Sequence, residues 1–407
     1  MFSRLTAKLL RIGATLALAL AVFACVPGDL QFGSRTVTLP IPERGGGSAS
    51  PMPGMNGAAE KFGRGPVPVA LLLPLSGDPA TAQVGVSMAN ASKLAIAFIE
   101  ANPNIGENIT ITLRDTGTTP AGAINAANAA VAEGAKLILG PLAADQVTAA
   151  GSVARASGIP MIGFSNTAAA AGPGVYLLSV LPEGEMKRSV LYLRDQGRRG
   201  PAGIFPATPY GEAQATAFRQ QAIAAGFAPS AVYTFSSPEE ARQIVEQAKP
   251  LIERGMIDAL FIPDRASAPT FATVLREAGV TGEMVQLVGS AEWANDPAIQ
   301  SSPALAGAIY PAVDPSGYAA IAGDYQARFG GRPHALSTIA YTATILANVN
   351  TLSLAVPPYN PALMTNPSGF NGRDGVFRFL ANGKSEYGLA IMAIGPGGAR
   401  LVEPAKL

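Results

Sequence analysis

Short apolar runs in this chain end, one after another, in residues able to hold a small charged molecule. Ser76 comes just after Val69-Ala70-Leu71-Leu72-Leu73, and Asp115-Thr116 after the run at 109–113. Gly140 and Pro141 follow Leu137-Ile138-Leu139, and Ser165-Asn166-Thr167 follow the run at 159–164. Later, Tyr210-Gly211 come after 202–205, Asp264-Arg265 after 257–262, and Ser290-Ala291-Glu292-Trp293 after 284–288. Hydroxyls and backbone N–H groups of the earlier set could hold a carboxylate. Tyr210, Asp264 or Glu292 of the later set could face an ammonium group. That division suits a zwitterion, because buried charges need partners. Taken one at a time, the same residues also make ordinary helix caps, since Ser, Thr, Asn and Asp accept the first free amides of a helix. Trp293 is the only tryptophan and lies in a polar stretch. It could stack on a ligand or cover the edge between two parts of the molecule.

Other chemistries lack their residues. The single histidine, His334, has no second histidine and only one cysteine in the chain to join it, so a zinc site has no ligand set. His334 follows Pro333 ahead of a helical stretch, where a surface capping role suits it. No Gly-X-Ser-X-Gly elbow presents a serine, and Gly163-Phe164-Ser165-Asn166-Thr167 lacks the second glycine. No Ser-X-X-Lys occurs. Gly383-Lys384-Ser385 ends like a phosphate loop, but Arg378 stands where the first glycine belongs. No dinucleotide fingerprint is present. The expectation is a protein that is not an enzyme and carries no metal or cofactor. A formal net charge of +1 with 14% charged residues also argues against a nucleic-acid partner, which requires a clustered basic surface.

Ligand-holding residues must be positioned by a scaffold, and the chain has a regular rhythm from Val67 onward. Continuous apolar runs at 69–73, 109–113, 137–139 and 159–164 read as strands buried on both faces. Helical patterns lie between them at 84–100, 121–133 and 145–156, the first with Val84, Met88, Ala91, Ala95 and Phe98 on one stripe. The rhythm repeats after Leu181: helices at 183–196, 211–225, 238–254 and 269–278 alternate with strands at 202–205, 231–235, 257–262 and 284–288. Helices follow at 318–329 and 337–350. Two apolar runs at 376–379 and 389–394 read as a hairpin joined across Asn382-Gly383. Strand–helix alternation with short loops implies parallel sheets built from right-handed crossovers. The fold class is therefore α/β, in two similar blocks. In such sheets a ligand sits beyond the carboxyl ends of the strands, where the residues named above lie.

The N-terminus reads as an export signal. Arg4, Lys8 and Arg11 precede an apolar run at 12–24 that closes on Val22-Phe23-Ala24-Cys25. The run is short for a membrane span, which needs about 20 apolar residues. Cys25 is the only cysteine, so no internal disulfide is available and the fold rests on its hydrophobic core. With 48% hydrophobic residues among 407, that core is within reach. From Val26 to about Pro66 the chain holds Gly45-Gly46-Gly47-Ser48 and Pro51-Met52-Pro53-Gly54, a composition that gives a flexible tether or a segment without a role.

A cysteine at the end of such a signal resembles a bacterial lipoprotein lipobox. The resemblance implies a signal peptide at 1–24 and a lipidated Cys25 as the membrane anchor. The segments Val69-Ala-Leu-Leu-Leu-Pro-Leu-Ser-Gly77, Ala135-Lys-Leu-Ile-Leu-Gly-Pro-Leu142, Ile159-Pro-Met-Ile162 and Pro209-Tyr-Gly211 resemble type I periplasmic binding proteins of the leucine/isoleucine/valine-binding kind. That resemblance implies two Rossmann-like lobes joined by three crossovers, closing on a ligand in an interlobe cleft. Lobe 1 is placed at about 67–180 plus 312–355 and lobe 2 at about 181–311 plus 356–400. The resemblance also implies that Ser76, Gly140 to Ala143, Ser165 to Thr167, Tyr210 and Glu292 line the cleft, with Thr167 on a ligand carboxylate and Tyr210 closing over it. Ala143 and Ala144 stand where amino-acid binders offer a serine or similar donor.

A narrower resemblance joins the lipobox, the tether, Leu71-Leu-Leu-Pro-Leu-Ser-Gly77 and Gly375-Val-Phe-Arg-Phe-Leu-Ala-Asn-Gly-Lys384 to lipoproteins of the penicillin-binding protein activator family. It implies contact with a peptidoglycan synthase. The alternative is a solute receptor for an ABC importer of amino acids or related molecules. Val26, after the cysteine, is not aspartate, which by the same resemblance implies outer-membrane sorting on the periplasmic side.

Overall fold

Strands that are buried from end to end belong in the middle of a sheet, and the first lobe is built on that rule. The structure, a computed structural model, describes residues 59–228 and 231–407. The expected signal peptide, Cys25 and most of the expected tether lie outside the described residues. In lobe 1, β1 (Glu60–Phe62) and β2 (Val67–Leu73) precede α1 (Pro79–Ala101), β3 (Ile109–Asp115), α2 (Pro120–Ala132), β4 (Leu137–Leu139), α3 (Ala144–Ala156), β5 (Met161–Gly163) and β6 (Val175–Leu177). The sheet order is β1-β3-β2-β4-β5-β6, parallel except for β1. Leu71, Leu72 and Leu73 of central β2 have no exposed surface. Their neighbours fill two cores, one beneath α1 and one beneath α2 and α3.

Lobe 2 repeats the plan. It holds α4 (Pro182–Asp195), β7 (Pro201–Pro206), α5 (Pro209–Ala224), β8 (Val232–Phe235), α6 (Ala241–Glu253), β9 (Ala259–Phe261), α7 (Ala268–Glu277), β10 (Gln286–Val288), α8 (Pro297–Gln300) and β11 (Ile309–Ala312). The chain then returns to lobe 1 through α9 (Pro315–Phe329), α10 (Ser337–Ala347), α11 (Asn350–Ser353), α12 (Pro361–Met364) and a small antiparallel sheet of β12 (Phe370–Gly372), β13 (Gly375–Phe379) and β14 (Ser385–Tyr387). Finally β15 (Leu389–Gly395) and β16 (Gly398–Lys406) complete the second sheet, ordered β16-β15-β11-β10-β9-β7-β8. Both sheets are mixed, with parallel centres and antiparallel margins.

The chain thus passes between lobes three times, near 178–182, 312–315 and at Gly388. The third passage has no loop. β14 ends at Tyr387 in the core of lobe 1, and β15 begins two residues later in the sheet of lobe 2. Ionic contacts flank it: Lys384 Nζ lies 2.7 Å from Glu183 and Lys187 Nζ 3.1 Å from Glu386. Arg188 Nε, in α4, donates to Leu389 O at 2.6 Å.

Three sequence expectations change. Residues 60–62, assigned to the tether that ran to 66, form β1. Glu60 pairs with Leu113 and Phe62 with Ile111, Phe62 packs on the core, and Lys93 reaches Glu60 at 2.7 Å. A short charged edge strand carries little apolar signal. The turn at Asn382-Gly383 joins 375–379 to 385–387, not to 389–394. For the same reason the second segment of lobe 2 does not start at 356: Phe377, Phe379 and Tyr387 fill the core of lobe 1.

Candidate functional site

The order of strands locates the cleft edge in each lobe. In lobe 1 the chain leaves β2 to one side and returns past it to β4, so the switch point lies between their carboxyl ends. In lobe 2 it lies between β7 and β9. Ligands in open α/β sheets bind at such points. The loops there carry Ser76 and Gly140 on one side and Tyr210 and Asp264 on the other.

Lobe 1 uses most of its predicted donors internally. Ser76 Oγ donates to Asp115 Oδ2, and the same carboxylate accepts the Leu75 and Gly117 amides at 2.8 Å each. Burial acts to raise the pKa of Asp115, but hydrogen bonds from Ser76, Gly117 and Leu75 outweigh it and hold the carboxyl below its ordinary value. The Gly140 amide donates to Ile162 O at 2.8 Å within the sheet, so it is not offered to a ligand. Gly140 has φ +84° and a Cβ there would overlap Leu72 O, which accounts for the glycine. Ser165 is buried, and its Oγ accepts the Thr167 amide at 3.1 Å. Asp145, in the first turn of α3, accepts the Gln146 amide at 2.8 Å. Thr167 is half-buried and its hydroxyl forms no hydrogen bond among the described residues.

Lobe 2 answers with carboxylates. Tyr210 stands at the start of α5 behind Thr208, whose Oγ1 accepts the Gly211 amide at 3.1 Å. Its Oη accepts from Asn166 Nδ2 at 3.3 Å, a contact that bridges the lobes. Burial, then the charges of Glu185, Glu292 and Glu183, raise the pKa of Tyr210, with the Asn166 bond opposing. Glu292 is solvent-exposed, yet its pKa is raised, first by desolvation, with Arg265 opposing and Asp264 adding to it.

The structure brings Asn166 and Tyr210 together, with Glu292 close enough for its charge to act on the tyrosine. It does not bring Trp293 into that group, and Asp264 joins it only through the action of its charge on Glu292. Asp264 Oδ2 caps α7, accepting Ser267 N at 2.8 Å and Ser267 Oγ at 2.6 Å. Trp293 neither stacks in the cleft nor covers an interlobe edge. It has no exposed surface, packs against Tyr310 in the core of lobe 2, and donates through Nε1 to Pro263 O at 3.2 Å. His334 takes its capping place, its Nδ1 accepting the Leu336 amide at 3.2 Å.

Sequence reasoning missed Glu185. It is 3% exposed, its Oε2 accepts the Ala291 amide at 3.1 Å, and Oε1 has no hydrogen bond among the described residues. Burial pushes its pKa up to about 8, with the Ala291 amide opposing and Glu292 adding to the rise. Nearby, Glu183 Oε2 is buried without a partner while Oε1 meets Lys384. Both sit in the first turn of α4, where acidic residues read as complements to the helix dipole.

Among the described residues no group of His, Cys, Asp and Glu could hold a metal ion. Comparison with curated proteins yields no match. Solved structures share the fold. A putative branched-chain amino acid ABC transporter protein from Rhodospirillum rubrum aligns at 19% identity and TM-score 0.70, over 83% of this chain and 99% of that one. The leucine-binding protein LivK of Thermotoga maritima aligns at 17% and 0.57, over 84% and 99%. The C-domain of Haemophilus influenzae LpoA, a regulator of PBP1A, aligns at 16% and 0.61, over 82% and 99%. A family model described as periplasmic binding protein matches residues 66–365. The two-lobed α/β architecture and that match agree: the chain belongs to the periplasmic binding protein family.

Proposed function

We propose that the chain is a non-enzymatic binding protein, anchored on the periplasmic side through a lipidated Cys25, whose lobes close on a small molecule at the paired switch points. The observation that carries this reading is the Asn166–Tyr210 hydrogen bond between the two cleft edges. Thr167, with its unbonded hydroxyl, lies beside that bridge in sequence. A thermal-shift screen of the full chain against amino acids, amines, short peptides and cell-wall fragments tests it. A ligand at a hundredfold excess over Kd adds about 2.7 kcal/mol of stability. The reading expects one chemical class to raise Tm, and the rise to be lost in Asn166→Ala with Tyr210→Ala. No rise across the panel, or a rise that survives both substitutions, defeats it.

The partner that reads closure is proposed to be a peptidoglycan synthase. The likeness to the LpoA C-domain supports this, as do the Gly375–Lys384 motif and Val26 after the cysteine, which favours the outer membrane. The ABC-transporter neighbours support the second reading, a receptor for an importer. Stimulation of glycan polymerisation by the full chain supports the first. Ligand-dependent stimulation of a permease ATPase supports the second.

A further inference from the structure

The charges along the cleft edges single out one kind of ligand. On the lobe 1 side, two donor sets that could receive a ligand carboxylate are occupied by the protein's own acids. Asp115 takes Ser76 and two amides, and Asp145 takes the amide of Gln146 at the start of α3. Ala143 and Ala144 add no side-chain donor. On the lobe 2 side, Glu292 is exposed and near enough to Tyr210 for its charge to act there, and two carboxylate oxygens, Glu185 Oε1 and Glu183 Oε2, have no hydrogen-bond partner among the described residues. The basic side chains of this region are engaged: Lys384 with Oε1 of Glu183 itself, Lys187 with Glu386, and Arg265 with Asp296 at 3.6 Å, its charge also acting on Glu292. A carboxylate ligand would meet acids on both walls, whereas an ammonium group would find free acceptors on one.

We propose that the cleft takes a small organic amine without a carboxylate, its ammonium held by Glu185, Glu292 and Tyr210. This rests on the small-ligand reading above and names its substrate class. Glu185 is faced by Glu292 and the Ala291 amide from the loop after β10 and by Tyr210 from α5, with Glu183 on its own helix. Arg188, also on that helix, is turned to Leu389 O and Glu403. No lysine or arginine pairs with Glu185 among the described residues. In the empty cleft Glu185 keeps its proton near neutral pH, since burial disfavours its charge. A bound ammonium favours the ionised form, so binding releases a proton and tightens as pH rises.

A matched trio tests the proposal on the full chain by titration calorimetry: 3-methylbutylamine, leucine, and 4-methylpentanoate, which share one apolar group and differ in charge. The amine should bind at least tenfold tighter than leucine, with proton release seen as a buffer-dependent heat, and 4-methylpentanoate should give no heat. Glu185→Gln, which keeps the acceptor for Ala291, should weaken the amine tenfold or more and abolish the proton release. Glu292→Gln should weaken it without abolishing the release. Leucine binding tighter than the amine overturns the amine assignment and leaves the small-ligand reading standing. Amine binding that is unchanged in Glu185→Gln also overturns it. No heat from any of the three overturns the amine assignment, and the small-ligand reading then stands or falls on the wider thermal-shift panel.

Discussion

At the carboxyl edge of lobe 1, Ser76, Ser165 and the Gly140 amide are all bonded to partners in the same lobe. At the matching edge of lobe 2, Glu185 and Glu183 keep oxygens free, and Tyr210 reaches across to Asn166. The residue types at the two edges are those of caps and of binding sites alike. What separates the roles is where the partner lies. A polar group whose partner is local makes a cap, and one left facing the cleft without a local partner is available to a ligand. Asp264 shows that the division follows geometry and not lobe: although in lobe 2, it bonds Ser267 three residues on and is a cap.

The comparison can be broken or sharpened by substitution, beginning with the largest effect. Trp293→Ala empties the core of lobe 2 and should cost about 3–5 kcal/mol in urea unfolding. It should do so without moving ligand affinity in the variant that remains folded, since the indole has no exposed surface. A selective loss of affinity at unchanged stability would return Trp293 to the cleft.

Glu185 should govern a pH dependence. Its folded pKa of about 8 stands above the ordinary 4.5, so between those values the folded state holds a proton that the unfolded state has released. Stability is therefore full below about pH 4.5 and falls as pH rises through about 8, by at most about 1.4 kcal/mol per pH unit. Glu185→Gln should flatten that slope in unfolding curves taken across the window, and an unchanged slope would place the proton elsewhere.

Gly140→Ala should destabilise by about 1–3 kcal/mol, from a positive φ and the overlap with Leu72 O. Ser165→Ala should cost about 0.5–2 kcal/mol through the lost bond to the Thr167 amide, measured by the same unfolding curves. The comparison is sharpest here: Ser165→Ala should leave ligand affinity unchanged, where Glu185→Gln changes it tenfold. A reversal of that pattern would mean that lobe 1 holds the ligand.

Much of the scaffold was legible because its signals are local. Runs such as Val69–Leu73 with stops on both sides announce buried strands, and their alternation with helical stripes announces crossovers. The edge strand Glu60–Phe62 and the strand at 385–387 were not legible because a few residues of mixed character carry no period, and Val175–Leu177 because three apolar residues are too few to mark a strand. The site was less legible than the fold. Glu185 meets Ala291 across 106 residues of chain, and in sequence it looks like any acidic residue opening a helix. Trp293 sits among polar neighbours in sequence, but Gly289 leaves room for its ring to turn inward, since a Cβ there would overlap the indole. Spacing along the chain reports neither.

The loop-free passage at Gly388 bears on how this protein comes to be folded. Lobe 1 needs Phe377, Phe379 and Tyr387 to finish its core, and lobe 2 needs β15, whose Ile391 and Ala393 pack beneath α4 and α5. Neither lobe can complete itself until residues 375–395 have been made. Until then both lobes lack part of their cores. Once β13, β14 and β15 are in place, the two lobes are completed within a few residues of each other. A truncation before Gly375 should therefore disable both lobes together, because it takes β13 and β14 from lobe 1 and β15 from lobe 2.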